Sequence, residues 1–201
     1  MIAGEGVASA PAIVPIPDER GLPAFFLART PVTNADYAPA IAEGVVAAPP
    51  WWSDPDFQGP RRPVVGVSWD DAAAYCAWLT ETAGGRWRLP TEEEWERAAS
   101  GGLVRPRTPW GEAVPAGEIP EGPLAGPWEA GCGRPTPYGL CDMGTIVHEW
   151  CADWRSPGRR ASRGGSWRHA VRWSSPSASS SLPPTFRYSD YGFRPLRELD
   201  R

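Results

Sequence analysis

Arg163-Gly164-Gly165-Ser166-Trp167 and Tyr191-Gly192-Phe193-Arg194 enclose the segment of this chain that decides its fold. Gly164-Gly165-Ser166 predicts a tight turn that leads into the segment. The stretch between the two landmarks contains no cysteine, and its part from Ser174 to Ser181 alone contains six serines. We therefore expect short strands and dense turns from Gly101 to the end of the chain.

Further short motifs lie upstream in a fixed order. They are Pro31-Val32-Thr33-Asn34, Val65-Gly66-Val67-Ser68-Trp69, Arg88-Leu89-Pro90-Thr91-Glu92, Pro109-Trp110-Gly111 and Tyr138-Gly139-Leu140-Cys141-Asp142-Met143. Together with the two C-terminal landmarks, this set resembles the formylglycine-generating enzyme family, also called the sulfatase-modifying-factor family, over residues 25–194. Each motif is weak alone and specific only in combination. The resemblance implies one domain over residues 1–201, with a loop-rich α+β variant of the C-type lectin fold.

Composition limits the class of protein. The 201 residues suit one domain with a real core, and twelve tryptophans and 41% apolar residues favour burial despite 22 glycines and 25 prolines. All twenty basic residues are arginine, which excludes lysine-dependent mechanisms. A net charge of −4 and a pI near 5.3 disfavour nucleic acid and membrane surfaces as partners. We expect a monomer that binds a peptide or a small molecule.

The N-terminus and the cysteines bear on the compartment. Met1–Glu5 lacks a basic region ahead of an apolar run, so we expect a soluble cytoplasmic protein. Cys76, Cys132, Cys141 and Cys151 show no C-x-x-C spacing, and four scattered cysteines need not form a disulfide framework. Whether Cys132 pairs with Cys141 or Cys151 stays open at this point.

Three capping patterns predict helix starts. Ser68-x-x-Asp71 and Thr91-x-x-Glu94 begin the two clearest helices, and Gly84-Gly85 ends the first of them. The buried faces predicted from helical spacing are Ala72, Tyr75, Cys76 and Leu79 in the first and Trp95, Ala98 and Ala99 in the second. Thr33 caps a third helix that must be short, kinked near Pro39, or begin later.

The resemblance also locates a departure at the catalytic positions. In members that oxidise a substrate cysteine, the stretch after Gly-Gly-Ser holds two catalytic cysteines, and the matching residues here are His169 and Ser174. The implied chemistry resembles copper(I)-thiolate activation of oxygen, and a soft metal needs soft ligands. Because both thiolates are missing, we expect no formylglycine generation.

A second departure concerns calcium. Where the family usually reads Gly-Asn-Val-Trp-Glu-Trp, this chain reads Thr145-Ile146-Val147-His148-Glu149-Trp150, with Ile146 in place of the asparagine. An apolar side chain cannot donate an oxygen to calcium, and residues 112–134 contain no asparagine or aspartate for a second site. We expect neither family calcium site, although Glu149 and backbone carbonyls remain as donors for a weak one.

The chain has only two histidines, and each lies beside a family landmark. One hypothesis is a copper or iron site built from His148, His169 and a carboxylate such as Glu149, which resembles a two-histidine, one-carboxylate centre in ligand type. The alternative is that His148 fills the space of a lost tryptophan while His169 forms hydrogen bonds at the rim of a groove. No ligand spacing in the sequence decides between them.

Aromatic and basic side chains near the C-terminus suggest a ligand groove. The residues at which we expect ligand contacts are Trp128, Ser166, Arg168, His169, Trp173, Ser174, Arg187 and Tyr188. The tryptophans within the family motifs are expected instead to build the core. These are Trp69, Trp78, Trp87, Trp95, Trp110, Trp150 and Trp167.

Three functions remain open. The first is a binding or accessory module whose groove holds a peptide or small molecule without chemistry. The second is a metal-dependent oxidoreductase that reuses the groove, since some relatives without the cysteine pair resemble enzymes of thiohistidine or siderophore biosynthesis. The third is a diversified receptor, since the variable proteins of diversity-generating retroelements share this fold and vary the final segment, here Arg168 to Tyr191.

Overall fold

The computed structural model describes residues 10–19 and 21–199, apart from the side chain of Trp173. Met1–Glu5, on which the expectation of a cytoplasmic protein rests, lies outside the described residues, as does the Trp173 side chain. Within these ranges, three α-helices and eight short strands are joined by long loops, which confirms the α+β class. None of these helices is long and apolar enough to cross a membrane.

Each helix begins at a capping box. The helices are α1 (Asn34–Ala42), α2 (Trp69–Thr82) and α3 (Glu92–Ser100). Thr33, Ser68 and Thr91 each accept a hydrogen bond from the backbone N–H three residues later. The acidic side chain at that later position bonds back to the N–H of the capping residue, so two otherwise unpaired donors are satisfied. The three predicted helix starts are therefore confirmed.

The helix faces also agree with the predicted spacing. Pro39 lies inside α1, which is short at nine residues, as one of the alternatives predicts. The predicted apolar faces of α2 and α3 are buried, and Gly101 ends α3 in the left-handed conformation that glycine adopts most readily. Local sequence thus determines the helices and the sides on which they pack.

The strands form two four-stranded sheets. They are β1 (Ile13–Ile16), β2 (Phe25–Ala28), β3 (Trp87–Arg88), β4 (His148–Ser156), β5 (Arg159–Arg163), β6 (Ser179–Leu182), β7 (Tyr191–Gly192) and β8 (Leu196–Glu198). The first sheet has the order β1-β2-β8-β3 and the second β6-β5-β4-β7. Only β4 and β7 run parallel among the paired strands, with His148 opposite Tyr191 and Glu149 opposite Gly192. This pairing brings the start of β4 to the C-terminal landmark.

Tryptophans supply much of the core, as predicted. Those that are buried are Trp78, Trp87, Trp95, Trp150 and Trp167. Several indole N–H groups also donate to distant backbone carbonyls, as Trp150 does to Val67 at 2.9 Å, so the rings fix loops as well as fill space. The prediction is too broad for Trp69 and Trp110, which are only partly buried. Trp110 lies on a loop, where its N–H bonds the carbonyl of Arg134.

A buried ion pair joins the two sheets. Arg194 and Glu149 are both fully buried, and the guanidinium donates to the two carboxylate oxygens at 2.7 and 2.9 Å. Trp95 adds a third hydrogen bond to the carboxylate at 2.6 Å. The remaining guanidinium N–H groups bond the carbonyls of Ala28, Arg29 and Cys141. The guanidinium N–H donors thus reach three separate parts of the chain, which are Glu149, the neighbouring residues 28 and 29, and Cys141.

Replacing Glu149 by glutamine tests this pair. The buried guanidinium would lose its counter-charge, so we expect Glu149→Gln to lower the free energy of unfolding by about 3–5 kcal/mol. The measurement is urea denaturation followed by tryptophan fluorescence. Glu118→Gln is the matched control, because Glu118 and Arg134 form a half-exposed pair and we expect a change below about 1 kcal/mol. Equal effects of the two substitutions would contradict this account.

Candidate functional site

The turn after β5 places Ser166 and His169 beside the start of β4. Gly164 has φ of +79°, and a Cβ there would lie 2.6 Å from the Cα of Gly144. The close approach lets the N–H of Gly165 donate to the carbonyl of Gly144 and the N–H of Trp167 donate to that of Ile146. Glycine is therefore required at position 164 for the turn to pack against the loop that contains Gly144.

His148 is held in one orientation. Its Nδ1 lies 2.7 Å from the carbonyl oxygen of Gly164, so Nδ1 carries the proton and donates it. The other ring nitrogen, Nε2, then presents a lone pair and lies 3.9 Å from an oxygen of Asp190. Burial lowers the pKa of His148, and neighbouring His169 adds to this effect, against the opposing influence of Asp190 and the Gly164 carbonyl. His148 is thus a neutral imidazole at neutral pH.

Ser166 links Asp190 to His169. Its hydroxyl donates to the same Asp190 oxygen at 3.0 Å and lies 3.2 Å from Nδ1 of His169. The backbone N–H of Ser166 also donates to this nitrogen at 3.3 Å, so Nδ1 of His169 accepts and Nε2 carries the proton. The Ser166 side chain is 1% exposed, which makes it an internal bridge between the two groups and closes it to attack on a substrate.

Arg168 adds a cation at the surface. Its Nη2 donates to the hydroxyl of Ser189 at 2.5 Å, and its Nε lies 3.7 Å from Asp190, while half of the side chain stays exposed. We call the set His148, Ser166, Arg168, His169 and Asp190 the two-histidine site. It offers N–H donors from Arg168 and His169 next to one carboxylate and one imidazole lone pair.

Aromatic rings extend from this site to the surface. The rings of His148 and His169 lie 5.4 Å apart, and the ring of Tyr191 lies 4.9 Å from that of His148. Tyr188 follows at 6.0 Å from Tyr191, and Phe186 at 5.9 Å from Tyr188. Phe186 and Tyr188 are 43% and 46% exposed, so the predicted contact residue Tyr188 belongs to an exposed aromatic strip beside the site.

Two other predicted contact residues have structural partners. Arg187 forms a two-pronged ion pair with Asp71 in the first turn of α2, at 2.6 and 2.9 Å. Trp128 donates its indole N–H to Asp142 at 3.3 Å and packs against an apolar cluster that contains Ile146. The structure therefore gives both residues roles in holding loops. Ser174 is close to fully buried at 3% exposure.

The predicted metal set requires a correction. The structure brings His148 and His169 together but directs Glu149 into the core, because neighbouring residues of a strand point to opposite faces. The carboxylate of Glu149 is already bonded by Arg194 and Trp95. Among residues 10–19 and 21–199, no group of three histidine, cysteine, aspartate or glutamate side chains has the arrangement of a metal site.

The carboxylate that faces His148 is Asp190, which sequence reasoning missed. Asp190 immediately precedes the Tyr191 landmark. Its carbonyl accepts the backbone N–H of His148, and the parallel pairing of β4 with β7 starts one residue later. Asp190 can be identified as a site residue only when the pairing of β4 with β7 is known, because the sequence shows it merely as an acidic residue next to the Tyr191 landmark.

The cysteines are all free thiols, which settles the pairing question. Cys76, Cys141 and Cys151 are buried and Cys132 is exposed. Burial raises the pKa of each of the four thiols above the usual value, so each keeps its proton at neutral pH. No hydrogen bond or ring contact described for the two-histidine site involves any of them.

Comparisons with known proteins agree with this fold. The family described as "Sulfatase-modifying factor enzyme 1-like domain" matches residues 8–199. The chain is 36% identical to a formylglycine-generating enzyme of Thermomonospora curvata over 156 residues, which is 62% of this chain and 50% of that protein. It is 43% identical to the mouse protein "Inactive C-alpha-formylglycine-generating enzyme 2" over 124 residues, 52% of this chain and 37% of the relative. This chain thus spans about half or less of each of these relatives.

Solved structures show the same architecture. PvdO from Pseudomonas aeruginosa superposes with a TM-score of 0.74 at 23% identity, covering 94% of this chain and 91% of that one. Treponema denticola variable protein 1 gives a TM-score of 0.74 at 21% identity, covering 96% and 94%. At these identities the likeness shows the fold alone, and it confirms the predicted variant of the C-type lectin fold.

The neutral state of His148 can be measured directly. We expect an NMR titration of the ring Hε1 protons to give His148 a pKa below the usual value of about 6.5, because burial disfavours the imidazolium. His148→Asn assigns its signal, since the chain has only two histidines. Because protonation favours the unfolded state, the contribution of His148 to stability is present above about pH 6.5 and is lost as the pH falls toward its folded pKa. A folded pKa at or above 6.5 would contradict the assignment.

Proposed function

The chain belongs to the sulfatase-modifying factor enzyme 1-like domain family, and we propose that it is a ligand-binding member. In this proposal the two-histidine site holds a peptide or a small molecule and oxidises no cysteine. The observation that carries the proposal is the state of His169 and Ser174, the residues that the family resemblance matches to the two catalytic cysteines. His169 is a hydrogen-bonded imidazole and Ser174 is a buried hydroxyl residue, so neither supplies a thiolate.

The chemistry of the site suits binding. Arg168 and Nε2 of His169 offer N–H donors, which fit the carbonyl and carboxylate oxygens of a peptide or a small acid. The adjacent strip of Phe186 and Tyr188 offers exposed rings that stack on apolar or aromatic groups. Rigid aromatic anchors beside polar donors are common in surfaces that bind without catalysis.

Two further observations support a non-oxidising member. All four cysteines are protonated thiols outside the contacts of the site, so no relocated thiolate pair replaces the missing one. The likeness to a mouse relative named as inactive indicates that the family scaffold also exists without the enzyme activity. The receptor hypothesis rests on fold likeness to a variable protein and has no support from individual residues of this chain.

Ligand selection from libraries tests the proposal. A random peptide library displayed on phage and a fragment library screened by NMR would both be presented to the wild-type protein, with the two histidine signals as reporters. We expect at least one ligand whose affinity falls roughly tenfold or more in Arg168→Ser and His169→Ala, since each removes charge-assisted or neutral hydrogen bonds. Arg107→Ser is the matched control, because Arg107 is an exposed loop arginine. Failure of both libraries, or equal loss in the control, would contradict the proposal.

A metal-dependent oxidoreductase is the second candidate, because the imidazole rings of His148 and His169 lie 5.4 Å apart, although no three histidine, cysteine, aspartate or glutamate side chains among the described residues are arranged to hold a metal. Elemental analysis of the wild type beside His148→Ala/His169→Ala separates the two functions. Our proposal predicts no stoichiometric copper, iron or zinc in either protein, including after loading. Near-stoichiometric metal in the wild type that disappears in the double variant would favour the oxidoreductase.

A further inference from the structure

A second concave surface lies between α2, β3 and the β4–β5 hairpin. Its volume is about 330 Å³, and its apolar walls include Ala73 and Ala77 of α2 together with Trp87 and Leu89. Arg160 of β5 lies at its edge. None of its lining residues belongs to the two-histidine site. We call it the Arg160 groove.

Two indole rings hold the Arg160 guanidinium between them. The guanidinium carbon lies 3.6 Å from the ring centroid of Trp69 and 3.7 Å from that of Trp154. Trp69 is fixed by the hydrogen bond from its indole N–H to the carbonyl of Cys151 at 2.8 Å. Trp154 is 56% exposed, which is unusual for a tryptophan, and the face of its ring covers the Arg160 guanidinium. Stacking occupies both faces of the guanidinium and leaves only its in-plane N–H edge for polar partners.

The N–H edge of Arg160 is incompletely satisfied. Nη1 donates to the carbonyl of Ala152 at 2.7 Å, whereas Nε is buried and has no hydrogen-bond partner. No acidic side chain within residues 10–19 and 21–199 forms an ion pair with Arg160, although Asp70 and Asp153 lie near enough to raise its pKa. Desolvation outweighs both and lowers the pKa of the guanidinium. Arg160 is thus a partly buried cation with carboxylates nearby but no direct ion pair, so an anionic ligand can form charge-assisted hydrogen bonds with it.

Arg88, the other cation of the groove, is in the opposite situation. Its guanidinium bonds Glu94 at 2.7 and 2.8 Å and Glu198 at 2.7 Å, so two carboxylates already neutralise it. The groove therefore has one cation available to a ligand. That cation, Arg160, stands at the rim of a mainly apolar surface, which favours a ligand with one anionic group and an apolar body.

We propose that the Arg160 groove binds a small monocarboxylate with an apolar body. The carboxylate accepts hydrogen bonds from the Nη end of the Arg160 guanidinium, because Nε is buried, and the body lies along Ala73, Ala77, Trp87 and Leu89. A planar guanidinium matches a carboxylate better than it matches a single-point acceptor. The volume is at the small end of ligand pockets, which run from about 300 to 1,000 Å³, so the ligand is small.

Cys76 lines the groove but takes no covalent part in this proposal. The thiol is 1% exposed and its pKa is raised by burial, so it stays protonated and acts as part of the apolar wall. Binding is therefore reversible and non-covalent.

Octanoate and 1-octanol form a matched pair of probes for this groove. Both have the same apolar body, and only octanoate has a carboxylate. We expect octanoate to bind the wild-type protein, monitored by calorimetry and by the indole N–H signals of Trp69 and Trp154 in NMR spectra. We expect the affinity for 1-octanol to be lower than that for octanoate by roughly tenfold or more, because 1-octanol lacks the charge-assisted hydrogen bonds. Equal affinities for the two probes, or no octanoate binding, would overturn the proposal without any variant.

Two substitutions locate the interaction. Arg160→Met keeps the apolar stem and removes the charge, so octanoate affinity should fall to the level of 1-octanol while 1-octanol affinity stays unchanged. Arg159→Met is the control, since Arg159 precedes Arg160 in β5 and neighbouring strand residues point to opposite faces. Thermal unfolding checks that both variants are folded. Wild-type octanoate affinity in Arg160→Met, or an equal loss in Arg159→Met, would contradict an Arg160 site.

Discussion

The rest of the structure depends on the buried pair of Arg194 and Glu149. Desolvating two charges is costly, and the cost is offset only when geometry and hydrogen bonding are nearly complete. Here the guanidinium bonds both carboxylate oxygens and the carbonyls of Ala28, Arg29 and Cys141, and Trp95 donates a further hydrogen bond to the carboxylate. A fold with short strands and long loops has few ladder hydrogen bonds to fix its parts. This polar centre supplies the missing constraint, because it is satisfied only when the loops and both sheets are correctly placed.

The same strand that places Glu149 in the core creates the candidate site on its other face. His148 precedes Glu149 in β4, so alternation directs the imidazole toward Asp190 and His169 while the carboxylate faces Arg194. One strand thus has one face in the core and one face in the candidate site. The arrangement explains why Glu149 cannot join the two histidines as a metal ligand. The acidic group of the site is instead Asp190, which lies immediately before β7, the strand that pairs with the start of β4.

The structural features that the sequence alone predicts are those formed by residues close together in the chain. The boxes at Ser68 and Thr91 and the buried faces behind them are confirmed, since all their interactions lie within one or two helical turns. The family motifs predict the fold class for a different reason, because each motif occupies a fixed place in a known arrangement. The pairing of His148 with Asp190 and the stacking of Arg160 between Trp69 and Trp154 were not predictable. They join residues far apart in the chain through strand register, which no local pattern encodes.

The central claim is that this family scaffold binds a ligand at the two-histidine site without oxidising cysteine, because His169 and Ser174 supply no thiolates. The most direct test supplies the purified protein with copper(I), oxygen and a cysteine-containing peptide and follows aldehyde formation by mass spectrometry. A His169→Cys/Ser174→Cys variant is assayed beside it for copper(I) uptake from a competing chelator. We predict no aldehyde from the wild type and copper(I) uptake only by the variant, since two thiolates are the soft ligands that copper(I) requires. Aldehyde formation by the wild-type protein would contradict the account.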